Sequence, residues 1–215
     1  MKTILLKDAV ALIPDGASVM IGGFMGVGTP ERLVDELVRQ GKRNLTVIAN
    51  DNALPGIGIG KLISAGAVKK TIASHIGLNP ETQKKMLAGE LEVDLVPQGT
   101  LIERIRAGGF GLGGVLTPTG VGTVVEKGKQ RIEVAGKPYL LETALRADFA
   151  LVQAFLADYV GNLYYALTAR NFNPVIAMAA DTVIVDAENI VPVGVIAPDQ
   201  VVTPSPVVDY IISHA

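Results

Sequence analysis

The chain has 215 residues, 49% of them apolar and 19% charged, with a net charge of −2 and no cysteine. That length suits one domain, or a compact α/β domain with a small appendage. No dense Lys/Arg run is present, which excludes the basic footprint that nucleic-acid binding needs. The lack of cysteine excludes disulfides, thiolate metal sites and a Cys nucleophile.

The opening stretch MKTILLKDAVALIPDG carries an acidic residue inside a short apolar segment and has no small-residue cleavage site, so no signal peptide is expected. No run of about 18 apolar residues follows, so no membrane span is expected, and the expected location is the cytoplasm. Ser18–Ile21 reads as a strand, and the turn Gly22–Gly28 comes next. Thr29 as N-cap, Pro30 at the first helical position and Glu31 in the first turn then open a helix that ends at Gly41. Leu45–Ala49 is a strand ending in Asn50-Asp51, and Thr71–Ser74 is one ending in His75-Ile76-Gly77. Asn79-Pro80-Glu81 starts another helix, Val93–Val96 is a strand ending in Pro97-Gln98-Gly99, and Leu101–Ala107 is a helix. Residues 108–130 are too Gly-rich to form regular elements throughout. Gln130–Glu142 reads as a hairpin turning at Ala135-Gly136-Lys137. Ala147–Phe155 is a strand, Asn173-Pro174 starts a short helix through Ala180, and Thr182–Val185 is a further strand. The tail with Pro198, Pro204 and Pro206 is expected on the surface or against a partner. This βαβα order predicts an α/β fold, a mostly parallel open sheet with flanking helices and a small β-hairpin appendage, as a single domain over residues 1–215.

In open parallel sheets ligands lie beyond the carboxyl ends of the strands. That rule selects Gly22-Gly23-Phe24, Asn50-Asp51, Ser74-His75 and Pro97-Gln98-Gly99 as the walls of one crevice. Glycines between a strand and a helix let backbone N–H groups approach an anion or oxyanion; a plain tight turn explains them equally well. A dinucleotide fingerprint cannot be placed on Gly22, Gly23, Gly26 and Gly28. Its one match, Gly109, Gly111 and Gly114, follows a predicted helix instead of a strand. Ser74 beside His75 is no nucleophile–base pair by adjacency alone, and no Gly-x-Ser-x-Gly elbow occurs. With His75 and His214 as the only histidines, no His-rich metal site is expected.

One arrangement is specific: Asp15-Gly16, two residues, Val19-Met20-Ile21, Gly22-Gly23-Phe24, three residues, Gly28, one residue, Pro30. It resembles the first signature of the class I (3-oxoacid) CoA-transferases. The resemblance continues through Ala49-Asn50-Asp51, Ile72–Gly77, Pro97–Leu101, Glu103–Gly109 and Ala169–Asn173, nearly the whole chain. It points to the α subunits of bacterial acetate/acetoacetate and butyrate–acetoacetate enzymes. The resemblance implies CoA as a co-substrate, no permanently bound cofactor or metal, and a β-subunit partner in an α2β2 assembly. It also implies covalent transfer through a glutamyl-CoA thioester. The family's nucleophilic glutamate lies in a Ser-Glu-Asn-Gly motif on the β subunit. This chain has only Ala187-Glu188-Asn189-Ile190, so Glu188 reads as a surface residue and the chain as inactive alone. By the same resemblance Gly22, Gly23, Phe24, Met25, Gly26, Val27 and Gly28 would contact CoA, while Asn50 and Gln98 would hydrogen-bond the substrate or, as the plainer alternative, cap their own turns. The helix bearing Glu103, Arg104 and Arg106 would either touch the β subunit or be a solvated face, and Arg170–Asn173 is expected to be structural or interfacial. Competing readings are a sugar-phosphate isomerase or deaminase on the same fold, with Asp51 as base, and a non-catalytic acyl-CoA-binding regulatory domain.

Overall fold

A computed structural model describes residues 2–213; His214 lies outside the described residues. The elements run β1 (Lys2–Ile4), α1 (Leu6–Ala11), β2 (Ser18–Ile21), α2 (Glu31–Arg39), β3 (Leu45–Ile48), α3 (Ile59–Ser64), β4 (Val68–Ala73), α4 (Pro80–Leu87), β5 (Glu92–Leu95) and α5 (Gln98–Gly109). They continue as β6 (Gly114–Thr117), β7 (Arg131–Val134), β8 (Lys137–Thr143), β9 (Ala147–Asp158), β10 (Leu163–Tyr164), α6 (Asn173–Ile176), β11 (Ala180–Val191) and β12 (Tyr210–Ile212). The main sheet has the order β1-β12-β11-β9-β2-β3-β4-β5 and is parallel throughout; only β10 joins it antiparallel, against β9. The α/β architecture expected from the strand–helix alternation is present.

The two-residue period of each strand divides the core into two layers. Val19, Val47, Leu151, Ile184 and Ile212 join Leu33, Leu37, Leu62 and Ile63 on one face. Their neighbours Met20, Ile48, Val152, Val185 and Ile211 join Leu101, Ile105, Phe172 and Ile176 on the other. The sheet is therefore covered by α1, α2 and α3 on one side and by α5 and α6 on the other. The described residues hold no helix long and apolar enough to cross a membrane.

Five expectations need correction. Thr29 does not cap α2: Pro30 occupies the N-cap position without a side-chain hydrogen bond. Asn79 does cap α4, accepting from the Thr82 N–H at 3.1 Å. The Gly-rich stretch is more regular than expected, because α5 runs on to Gly109 and Gly114–Thr117 forms β6. A Cβ on Gly108 would lie 2.3 Å from the Leu145 carbonyl oxygen, and one on Gly109 would lie 2.7 Å from Met178 Cβ, so close helix packing explains these two glycines. The hairpin is consequently part of a three-stranded antiparallel sheet, β6-β8-β7. The helix at Asn173 stops at Ile176 and Ala180 already belongs to β11. The tail ends inside the main sheet, where β12 pairs with β1 and β11.

Candidate active site

The strands β2, β3, β4 and β5 lie side by side and end at one edge, so the residues that follow them are brought together. After β2 the backbone makes a tight reversal. Phe24 and Val27 exchange hydrogen bonds of 3.0 and 2.9 Å, with Met25 and Gly26 between them at φ 50° and 89°. Two buried polar side chains hold this reversal. The carboxylate of Asp51, only 3% exposed, accepts from the Met25 N–H at 3.0 Å and from the Ala53 N–H at 3.3 Å. Asn173, fully buried, accepts from the Gln153 N–H at 3.0 Å and donates to the carbonyls of Gly28 (2.8 Å) and Ala169 (2.9 Å).

Packing accounts for the glycines. A Cβ on Gly22 would stand 1.8 Å from Asn173 Oδ1, and one on Gly23 would stand 2.1 Å from Thr29 Oγ1. Gly23 also has φ 122°, a conformation that side-chain-bearing residues rarely adopt. The turn thus closes tightly on its own neighbours and pushes Phe24, Met25 and Val27 outward, 42%, 40% and 52% exposed.

Asn50, two residues past β3, accepts from the Ser74 hydroxyl with its backbone carbonyl at 2.7 Å and its Oδ1 at 3.0 Å, a contact that does not use Nδ2. Ser74 is therefore a brace for Asn50. His75 sets its ring 6.4 Å from that of Phe24. Gln98 starts α5 and is exposed. Phe24, Asn50 and Gln98 meet Thr168, Arg170 and Asn171 around an open cleft of about 500 Å³. Of the crevice expected from the sequence, Phe24, Asn50 and Gln98 line this cleft, Asp51 is buried beneath the turn, and Ser74 and His75 are not among the lining residues; one further wall was not expected. That wall is a short 3-10 turn, Leu167–Arg170, which folds back over the strand ends. Arg170 and Asn171 belonged to a noted motif, but nothing local placed them at this cleft, and Thr168 carried no signal at all.

Other noted residues are elsewhere. Glu188 is exposed, as expected, and accepts from Gln153 Nε2 at 2.6 Å. Glu103 and Arg106 form a half-exposed local ion pair at 3.0 Å, whereas Arg104 turns inward to the Thr143 carbonyl at 2.8 Å. Gly109 and Gly114 end a helix and start a strand, the reverse of a dinucleotide-binding turn.

Residues 3–214 match the coenzyme A transferase family. The chain is 58% identical to the acetate CoA-transferase subunit alpha of Escherichia coli K12, over 98% of this chain and 96% of that one. It is 53% identical to the acetoacetyl-CoA:acetate/butyrate CoA transferase alpha subunit of Clostridium acetobutylicum, over 99% and 98%. Among solved structures it matches an acyl-CoA transferase of Escherichia coli O157:H7 in a thioester complex with CoA, with a TM-score of 0.86, 24% identity, and coverage of 98% of this chain and 46% of that longer one. The chain belongs to the coenzyme A transferase family, and within it to the α-subunit type.

Proposed function

We propose that this chain forms one wall of a CoA-transfer site whose nucleophilic glutamate is carried by a β-type partner chain. One observation supports this above others. The cleft is lined by the amides of Asn50 and Gln98 and the guanidinium of Arg170, with no carboxylate among its lining residues; the Asn171 amide, also in the lining, is spent on the Val27 and Thr168 carbonyls. Such a surface receives negative charge and needs its nucleophile from elsewhere. In the proposed sequence the partner's glutamate attacks the acyl-CoA thioester carbonyl and expels CoA thiolate, leaving an acyl-glutamyl anhydride. The thiolate then attacks the glutamyl carbonyl, releasing the donor acid and forming glutamyl-CoA. The acceptor carboxylate takes CoA by the reverse of these steps. Each step passes through a tetrahedral oxyanion, and an amide donor aimed at it is worth about 3–4 kcal/mol. Asn50 Nδ2 and Gln98 are suited to that task because an amide donates a hydrogen bond while carrying no charge itself. Phe24 and its turn line the path of CoA, which acts as a co-substrate. Short-chain acids such as acetate, acetoacetate and butyrate are the substrates, in an α2β2 assembly in the cytoplasm.

An isomerase reading with Asp51 as base is disfavoured by the burial of that carboxylate and its bonds to the Met25 and Ala53 amides. The test is reconstitution. The purified chain is expected to show no transfer between acetoacetyl-CoA and acetate until a partner bearing Ser-Glu-Asn-Gly is added. Borohydride trapping during turnover should mark only that partner; robust transfer by the single chain would overturn the reading.

A further inference from the structure

Arg170 differs from every other described arginine. Arg32 pairs with Asp186, Arg39 with Glu36, Arg106 with Glu103 and Arg146 with Asp181. Arg131 lies 3.6 Å from Glu126, and Arg43 and Arg104 reach backbone carbonyls. Arg170 has only an aromatic shelf, its guanidinium carbon 6.0 Å from the centre of the Tyr164 ring. Tyr164 is fixed in β10 against β9, with its ring edge-on to Phe155.

The backbone just ahead of Arg170 is held by two side-chain amides. Asn173 Nδ2 binds the Ala169 carbonyl at 2.9 Å, and Asn171 Nδ2 binds the Thr168 carbonyl at 2.8 Å. The turn begins at Leu167, a left-handed residue (φ 48°) that is 93% exposed. A residue that bulky is rarely left-handed unless its surroundings enforce it. The guanidinium is permanently charged, planar and rich in donors, which suits a carboxylate or phosphate. Here it faces a cleft whose other polar groups are amides and a hydroxyl.

We propose that Arg170 is the anion-binding residue of this cleft, holding an oxyanion of the transfer substrates. The anion is either the carboxylate of the acid or a phosphate of CoA. The inference rests on the transferase reading above. Its test uses the reconstituted complex with Arg170→Gln and Arg170→Lys. In a ping-pong reaction kcat/KM for acetate and for acetoacetyl-CoA each report their own half-reaction. Arg170→Gln should lower one of them by about ten- to a hundredfold, the worth of a charge-assisted hydrogen bond, and leave the other within about twofold. Arg170→Lys should recover part of the loss. Acetoacetyl-pantetheine, which lacks the CoA phosphates, separates the sources. A penalty seen with acetoacetyl-CoA but not with this thioester assigns a phosphate, and a penalty confined to acetate with either donor assigns the acid. Equal losses in both half-reactions with every donor, or no loss at all, would overturn the role of Arg170. Absence of transfer by the wild-type complex would instead sink the transferase reading, and this inference with it.

Discussion

Gly22 and Asn173 occupy one space, since a methyl group at position 22 would overlap Asn173 Oδ1. The φ of Gly22 is not in the left-handed range, so Gly22→Ala is a purely steric change. It should cost roughly 1–3 kcal/mol, as overpacking of a tight site does. Asn173→Ala should cost a similar amount by stripping the Gln153 N–H and the Gly28 and Ala169 carbonyls of their partner. The two losses should not add, because the small residue at 173 makes room for the methyl group; strict additivity in urea melts of the double variant would contradict this. Gly23→Val meets a second obstacle in its φ of 122° and should abolish transfer while the partner still assembles, checked by activity and by size-exclusion chromatography. At this scale the sequence was readable where one local rule sufficed. Asn50 and Gln98 follow directly from the ends of β3 and β5. Arg170 does not, because more than 70 residues separate it from Gln98 and only the folded sheet brings the two together. Thr29 misled for a similar reason: its hydroxyl fills the space beside Gly23, and the helix start is left to Pro30.

Elements with strong local chemistry formed where the pattern placed them. α2 ends in a closed C-terminal motif, in which Gly41 donates to the Val38 carbonyl and Lys42 to that of Leu37. On α2, the hydrogen bond from Arg39 holds the pKa of buried Glu36 below the ordinary value of 4.5, against the opposing pull of burial, with further help from Gln40. A carboxylate depressed in the folded state stabilises above its unfolded pKa, and that contribution fades as the pH falls through the folded value. Wild type should therefore lose more melting temperature than Glu36→Gln below about pH 4.5; parallel Tm profiles would contradict the assignment. The β7–β8 turn, Ala135-Gly136, has both residues left-handed at φ 50° and 73°. That conformation favours Asn-Gly, so Ala135→Asn should stabilise by about 0.5–1 kcal/mol, read as a rise in Tm with transfer activity unchanged. The boundaries that escaped the pattern depend on distant partners. β11 continues to Val191 through Asp186-Ala187-Glu188-Asn189, a polar stretch with no strand signature, because β9 pairs beside it as far as Asp158. β1 and β12, three residues each, find their register across the whole chain, Lys2 opposite Tyr210.

For the molecule as a whole, β12 lies inside the sheet, between β11 and β1. Removing residues 209–215 would strip both neighbours of their partner, together with the Asp209 carboxylate that accepts from the Val183 N–H at 2.8 Å. Such a truncation should abolish the cooperative thermal transition; a chain that melts like wild type would refute the pairing. The same strands also give the particle a polarity. β1 and β12 run parallel to β2 and β3, so the chain enters the sheet at the edge opposite the cleft and leaves it at the cleft's own edge. An affinity handle, fluorophore or surface tether joined ahead of Lys2 would thus point away from the working edge. The same attachment beyond Ile212 would emerge on the edge that carries the cleft.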